Sequence, residues 1–171
     1  PGELTTAFLV LRLYEPRVRW VVRPFDRIQQ EVADGRVDAG LLIHEGQLTY
    51  RREGLKKVID LGEWWRGETG LPLPLGGNVL HRRHRDRARE LAGLLREAIR
   101  YALEHRDEGV LYARDYARGC DAAEVTRFVG MYVNEWTVDL RRVGRQAVET
   151  LLARGAAAGL VPPCPAVDWV D

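Results

Sequence analysis

His44 is the side chain of this sequence best placed to transfer a proton. It directly follows residues 39–43 (AGLLI), an apolar run typical of a buried parallel strand. Ligands of open parallel sheets bind at the carboxyl ends of the strands, and the pKa of an imidazole lies near neutral pH. We therefore predict that His44 acts as a general base. The alternative is a loop histidine beside Glu45 that donates one hydrogen bond.

Thr5, Thr6 and Ala7 form a second candidate site, at the predicted start of the first helix. Backbone N–H groups at a helix N-terminus, together with the positive end of the helix dipole, favour an anion. The threonine hydroxyls add donors for a carboxylate or a phosphate. The competing interpretation is ordinary helix capping, for which threonine is well suited.

The run from His81 to Arg89 (HRRHRDRAR) is the most basic stretch of the chain. Phosphate or RNA contact is one interpretation, but no aromatic residues interrupt the run, and an amphipathic pattern follows it. A solvated loop and first helical turn is the favoured interpretation. His81 and His84 have no carboxylate or cysteine cluster to complete a metal site, so we predict no metal ion.

Other motifs that carry chemistry are absent from the sequence. Cys120 and Cys164 lie in neither a CxxC nor a Cys/His spacing, and two cysteines cannot make a disulfide framework. No glycine-rich phosphate loop or GxSxG elbow is present. Trp64 and Trp65 are adjacent on a predicted helix, so one is expected in the core and the other in a cleft or interface.

The composition is that of an ordinary globular protein. The 171 residues include 46% hydrophobic and 30% charged residues, and 26 basic against 25 acidic side chains leave a net charge of +1. A protein that binds nucleic acid mainly through phosphate contacts is usually far more basic. No run approaches the ~20 apolar residues of a membrane span. Neither nucleic acid nor a membrane is therefore an expected partner.

The elements that must position these residues alternate at first and then become helical. We predict helices over 5–14, 25–33 and 62–69, with Gly35 and Gly70 ending the last two, and strands over 18–23, 37–43, 57–61 and 79–81. Residues 71–77 are expected to be extended. Helices are predicted from about residue 85 to 102, over 107–118, from the Asp121 cap to Trp136, and over 140–158. This order predicts an α/β lobe over residues 1–75 that carries His44, and a crossover with a helical part over 76–171.

Several stretches resemble the 1,4-dihydroxy-6-naphthoate synthase family of the futalosine route to menaquinone. The central stretch is 38–45 (DAGLLIHE), followed by Thr49-Tyr50 and Gly54-Leu55. In the same order come 1–2 with 5–7, 60–62 with Trp64-Trp65, 69–76 (TGLPLPLG) and 132–134 (YVN). The resemblance extends over essentially the whole chain.

The resemblance implies a type 2 periplasmic-binding-protein-like fold with two α/β lobes, of which this chain holds one and the helical C-terminal part of the other. It also implies a cytoplasmic lyase that converts cyclic dehypoxanthinyl futalosine to 1,4-dihydroxy-6-naphthoate with no metal or redox cofactor. His44 matches the family's proton-accepting histidine, and Thr6-Ala7, with Thr5 adjacent, match a substrate-binding segment. Members carry a long stretch ahead of the position of Pro1, so we expect an N-terminally truncated fragment.

Two other functions fit the same fold. The chorismate dehydratase of the same pathway resembles residues 60–62 and 69–72, although His44 and residues 73–76 favour the naphthoate synthase. A non-catalytic solute-binding protein is the alternative from a different functional class. The His44 motif speaks against that second alternative.

Overall fold

The computed structural model describes residues 2–114, 116 and 121–170. Within these ranges the regular elements are α-helices and short 3-10 helices. The α-helices are α1 (Thr6–Tyr14), α2 (Ile28–Ala33), α3 (Gly46–Thr49), α4 (Leu61–Thr69), α5 (Ala88–Glu104), α6 (Arg106–Arg114), α7 (Ala122–Tyr132), α8 (Glu135–Val138) and α9 (Arg141–Ala157). The 3-10 helices are Phe25–Arg27, Tyr50–Glu53 and Arg82–Arg87.

The predicted α/β fold is wrong, because the described ranges contain neither a strand nor a sheet. The segments predicted as strands are irregular, except that the last residue of 57–61 opens α4. Their β-branched residues favour an extended chain, but a strand also needs a neighbour for its N–H and C=O groups. Among the described residues no segment pairs with them in this way, and Val21 and Val58 are 56% and 84% exposed.

The expected arrangement of a periplasmic-binding-protein-like α/β lobe followed by a helical part is therefore corrected. The described part of residues 1–75 is built from short helices joined by irregular segments, and the described residues from Ala88 to Ala157 are mainly helical, as predicted. The boundary between residues 75 and 76 stays a prediction. None of the described helices has both the length and the apolarity for a bilayer crossing.

The predicted helix ends are largely confirmed, because they depend on local chemistry. Thr5 caps α1, its Oγ1 accepting the Phe8 N–H at 3.2 Å. Gly35 and Gly70 follow α2 and α4 with φ of +69° and +68°, the left-handed region that glycine enters without a Cβ clash. At the start of α7, Asp121 makes the predicted capping box.

Two helix predictions need adjustment near the middle of the chain. The helix predicted over 107–118 is observed as α6 up to Arg114, and residues 115, 117 and 118 lie outside the described residues. The helix predicted from Asp121 to Trp136 ends at Tyr132. Asn134 starts α8 there by accepting the Trp136 N–H at 3.0 Å, so Trp136 lies on a separate turn.

The core of the molecule lies where α1, α4 and α9 meet. Val10, Trp65 and Leu151 are buried at 0%, 0% and 4% exposure, and the Trp65 indole donates to the Pro72 carbonyl at 3.2 Å. Trp65 is thus the core tryptophan expected of the pair. Trp64 is half-buried and meets the Tyr14 ring edge-on, with the ring centroids 5.4 Å apart.

Candidate active site

His44 lies between α2 and α3 with both ring nitrogens hydrogen-bonded. Its Nε2 is 2.9 Å from the Phe25 carbonyl oxygen, and its Nδ1 accepts the Gly46 N–H at 3.0 Å. The Phe25 ring lies beside the imidazole, with the ring centroids 5.2 Å apart. The His44 side chain is 13% exposed, so most of the imidazole is covered by the protein.

These partners define the tautomer of the neutral ring. A backbone N–H can only donate and a carbonyl oxygen can only accept, so Nδ1 must carry the lone pair and Nε2 the hydrogen. Nδ1 also lies 3.8 Å from the Glu45 Oε2. A proton added at Nδ1 would therefore meet a carboxylate able to stabilise the resulting imidazolium.

The segment that leads to His44 packs closely against α2. A Cβ on Gly40 would collide with the Ile28 side chain and lie 3.1 Å from the Val32 Cγ2. Ile28 is buried, so this close approach sets the path of the chain before His44. The segment is held by helix packing rather than by the strand that the sequence predicts.

Gly46 is a constrained position of the His44 loop, by which we mean residues 43–47, which lead into α3. An added Cβ would lie 2.7 Å from the His44 Cε1 and would overlap the Gln29 amide. We predict that Gly46→Ala displaces the imidazole and destabilises the protein by about 1–3 kcal/mol. Urea denaturation measures that loss.

Gly67→Ala is the matched control for this substitution. Gly67 lies inside α4, and its added Cβ would meet no atom within 4 Å. An alanine there should be stabilising by roughly 0.5–1 kcal/mol because it lowers the entropy cost of the helix. Unchanged stability in Gly46→Ala would contradict the tight packing around His44.

Tyr132 of α7 contacts the same loop, although it lies more than eighty residues later in the sequence. Its hydroxyl donates to the Ile43 carbonyl at 2.9 Å and accepts from the Gln47 Nε2 at 3.0 Å. Sequence reasoning places Tyr132 on the apolar stripe of its helix and does not predict this contact. The available signal is that a buried tyrosine hydroxyl usually finds a partner, although no spacing rule identifies a partner so far away in sequence.

Thr5, Thr6 and Ala7 occupy the predicted helix start, but the threonine side chains are already engaged. The Thr5 hydroxyl donates to the Gly2 carbonyl at 3.0 Å while capping α1, and the Thr6 hydroxyl donates to the Leu75 carbonyl at 3.3 Å. Helix geometry leaves the Thr6 and Ala7 amides without an intrahelical carbonyl. These amides are the groups through which this helix start could hold an anion.

The two candidate sites lie against different elements. The start of α1 contacts Leu75, and α1 packs on α4 and α9, whereas His44 contacts Phe25 and its loop is tied to α7. Among residues 2–114, 116 and 121–170, no hydrogen bond or ion pair joins His44 to Thr5, Thr6 or Ala7. A cavity of about 340 Å³ lies elsewhere, between α5 and the α8–α9 region, lined by residues such as Arg100, Glu135 and Arg141.

The remaining sequence candidates have structural roles or lie outside the description. The run 81–89 is mainly exposed and forms a 3-10 helix and the start of α5, as the solvated interpretation predicts. Cys164 is a free, exposed thiol, and Cys120 lies outside the described residues. The described part of the chain holds no cluster of three His, Cys, Asp or Glu side chains suited to a metal ion.

Comparisons with known proteins agree with the resemblance noted in the sequence. A family model described as Menaquinone biosynthesis matches residues 1–157. The chain is 42% identical over 167 residues to a protein of Thermus thermophilus named 1,4-dihydroxy-6-naphtoate synthase, covering 96% of this chain and 61% of the relative. A protein of the same name from Streptomyces coelicolor is 41% identical over 169 residues, covering 95% of this chain and 60% of the relative.

A crystal structure of a protein from Archaeoglobus fulgidus is similar at the level of the backbone. The TM-score is 0.84 at 42% identity, and the match covers 94% of this chain and 61% of that one. The chain thus spans about three fifths of the length of the relatives described here. By the extent of the family match and the identity to its relatives, the chain belongs to the menaquinone biosynthesis family.

Proposed function

We propose that the chain contributes the proton-accepting histidine of an enzyme that forms 1,4-dihydroxy-6-naphthoate from cyclic dehypoxanthinyl futalosine. The relatives in Thermus and Streptomyces carry the name of that synthase and are similar along almost the whole of this chain. Because the chain spans about 61% of the Thermus protein, the reaction is assigned to the gene product that carries this sequence. We assign that gene product to the cytoplasm and to the carbon–carbon lyases.

The hydrogen bonding of His44 supports its role as the base. The neutral ring presents its lone pair at Nδ1, and Glu45 lies 3.8 Å from that nitrogen. When substrate arrives, Nδ1 exchanges its bond to the Gly46 N–H for the substrate's proton, and the nearby carboxylate stabilises the imidazolium. Removal of the proton then starts the bond cleavage that leads to an aromatic ring system. The Phe25 carbonyl retains the Nε2–H throughout and holds the ring in place.

The start of α1 supplies the proposed substrate contact. The amides of Thr6 and Ala7 and the positive end of the α1 dipole would hold a polar or anionic part of the substrate. The hydroxyls of Thr5 and Thr6 already donate to the Gly2 and Leu75 carbonyls, respectively. Binding through the hydroxyls would therefore require those two bonds to be exchanged for bonds to substrate.

Two substrates distinguish this proposal from its alternatives. The gene product is incubated separately with cyclic dehypoxanthinyl futalosine and with chorismate, and the products are identified by liquid chromatography and mass spectrometry. We expect 1,4-dihydroxy-6-naphthoate from the first substrate and no dehydration of the second. If only chorismate is converted, the gene product is a chorismate dehydratase and the proposal is wrong. If the protein binds either compound saturably but converts neither, it is a solute-binding protein and the proposal is likewise wrong.

A further inference from the structure

The loop that carries His44 is tied to α7 on both sides of the histidine. Tyr132 donates its hydroxyl hydrogen to the Ile43 carbonyl, the residue before His44, at 2.9 Å. The same oxygen accepts from the side chain of Gln47, three residues after His44, at 3.0 Å. One hydroxyl thus links the two arms of the loop, and it comes from a helix more than eighty residues away in sequence.

The helix that holds this hydroxyl is itself well anchored. Val125 of α7 is 4% exposed, and the Asp121–Glu124 capping box secures the start of the helix. Arg52 and Glu124 form a second connection between α7 and the turn that follows the His44 loop. The hydroxyl of Tyr132 is therefore carried by a helix that is also held by contacts other than those to Ile43 and Gln47.

The ring of Tyr132 and its hydroxyl make separate contacts. The ring packs beside Phe128, with the centroids 4.9 Å apart, and a phenylalanine would keep that packing. Only the hydroxyl reaches Ile43 and Gln47. A role limited to packing would therefore survive the change to phenylalanine, whereas a role in holding the loop would not.

We propose that Tyr132, with Gln47, is a positioning residue for the His44 imidazole. It fixes the backbone on either side of His44, so that Nε2 stays on the Phe25 carbonyl and Nδ1 presents its lone pair beside Gly46 and Glu45. A base gains most of its effect from being held in a reactive geometry. This role rests on the proposed function of His44, although the geometry of the ring can be measured without turnover.

The test is Tyr132→Phe, read by ¹⁵N NMR of the histidine side chains. The His44 signals are assigned from their disappearance in His44→Gln. In the parent chain we expect the Nε2–H tautomer, and in Tyr132→Phe we expect both nitrogens to shift toward the values of a ring that exchanges between tautomers. Tyr50→Phe is the matched control, since the Tyr50 hydroxyl meets the Arg51 Nε at 3.2 Å and does not bridge the loop. It should leave the His44 signals unchanged.

Gln47→Met provides a second route that leaves α7 untouched. It removes the donor to Tyr132 and should move the His44 signals in the same direction by a smaller amount. If both variants fold and the His44 ring keeps the tautomer and the ¹⁵N chemical shifts of the parent chain in each of them, the positioning role is overturned. If Tyr132→Phe fails to fold, Gln47→Met alone decides in the same way.

Turnover separates this role from the proposed function. If the gene product makes 1,4-dihydroxy-6-naphthoate, Tyr132→Phe should lower kcat by ~10-fold with little change in KM, because the base is misplaced rather than the substrate lost. An unchanged kcat would overturn the positioning role even if the NMR signals move. No naphthoate from the unsubstituted protein would count against the proposed function alone, because the NMR result does not depend on turnover.

Discussion

Replacing His44 with glutamine should lower the turnover of cyclic dehypoxanthinyl futalosine by about 10²–10⁴-fold, the usual contribution of a positioned general base. Glutamine can still donate to the Phe25 carbonyl and accept from the Gly46 N–H, so the loop should keep its shape. It cannot take up a proton at neutral pH, and the chemical step should therefore fail. The rate of 1,4-dihydroxy-6-naphthoate formation by the gene product measures the effect.

His105→Gln is the control for this result. His105 stacks on the Tyr101 ring, with the centroids 3.8 Å apart, and its Nδ1 lies 2.9 Å from the Tyr101 carbonyl oxygen. It has no place in the proposed mechanism, and its variant should retain the parent rate. Circular dichroism should show both variants folded. Parent-like turnover in a folded His44→Gln would remove His44 from the role of base.

Trp65→Ala should have the largest effect on stability. The Trp65 side chain is completely buried between α1, α4 and α9, and the Arg154 guanidinium lies 5.4 Å from its ring centroid. Truncation of a buried tryptophan typically costs about 3–5 kcal/mol, because lost burial and a residual cavity add together. For a domain of this size that corresponds to a fall in Tm of roughly 6–20 °C. Thermal denaturation followed by circular dichroism measures it.

Trp20→Ala removes the same side chain from a partly exposed site. Trp20 is 43% exposed and lies on the irregular segment after α1, so less buried area is lost. We expect a loss of about 1 kcal/mol. Equal losses for Trp65→Ala and Trp20→Ala would show that the core does not lie where α1, α4 and α9 meet.

Helix positions were predictable because their signals are local. Thr5 as a cap, Asp121 with Glu124 as a capping box, and Gly35 and Gly70 as helix ends all act within a few residues of their own position. The apolar period that predicts α5 is likewise contained in its own segment. None of these features needs knowledge of what the helix packs against.

The strands were predicted wrongly because a strand is not a local structure. Residues 18–23 and 37–43 have the apolar and β-branched character of strands, and short runs of this kind do not reveal whether a partner exists. In the described structure residues 37–43 meet α2, where Gly40 packs against Ile28 and Val32. The sheet was thus predicted wrongly because the pairing of strands depends on the whole chain and not on each segment alone.

The sequence by itself determined the helix caps, the apolar stripes, the family resemblance and the choice of His44 as the residue to test. Only the tertiary structure decided which nitrogen of His44 holds the lone pair, because that depends on Phe25 and Gly46 as partners. It also decided that Tyr132 ties the His44 loop to α7. Caps and periodicity arise between residues close in the chain, whereas the protonation state and position of a side chain depend on groups that folding brings to it from elsewhere.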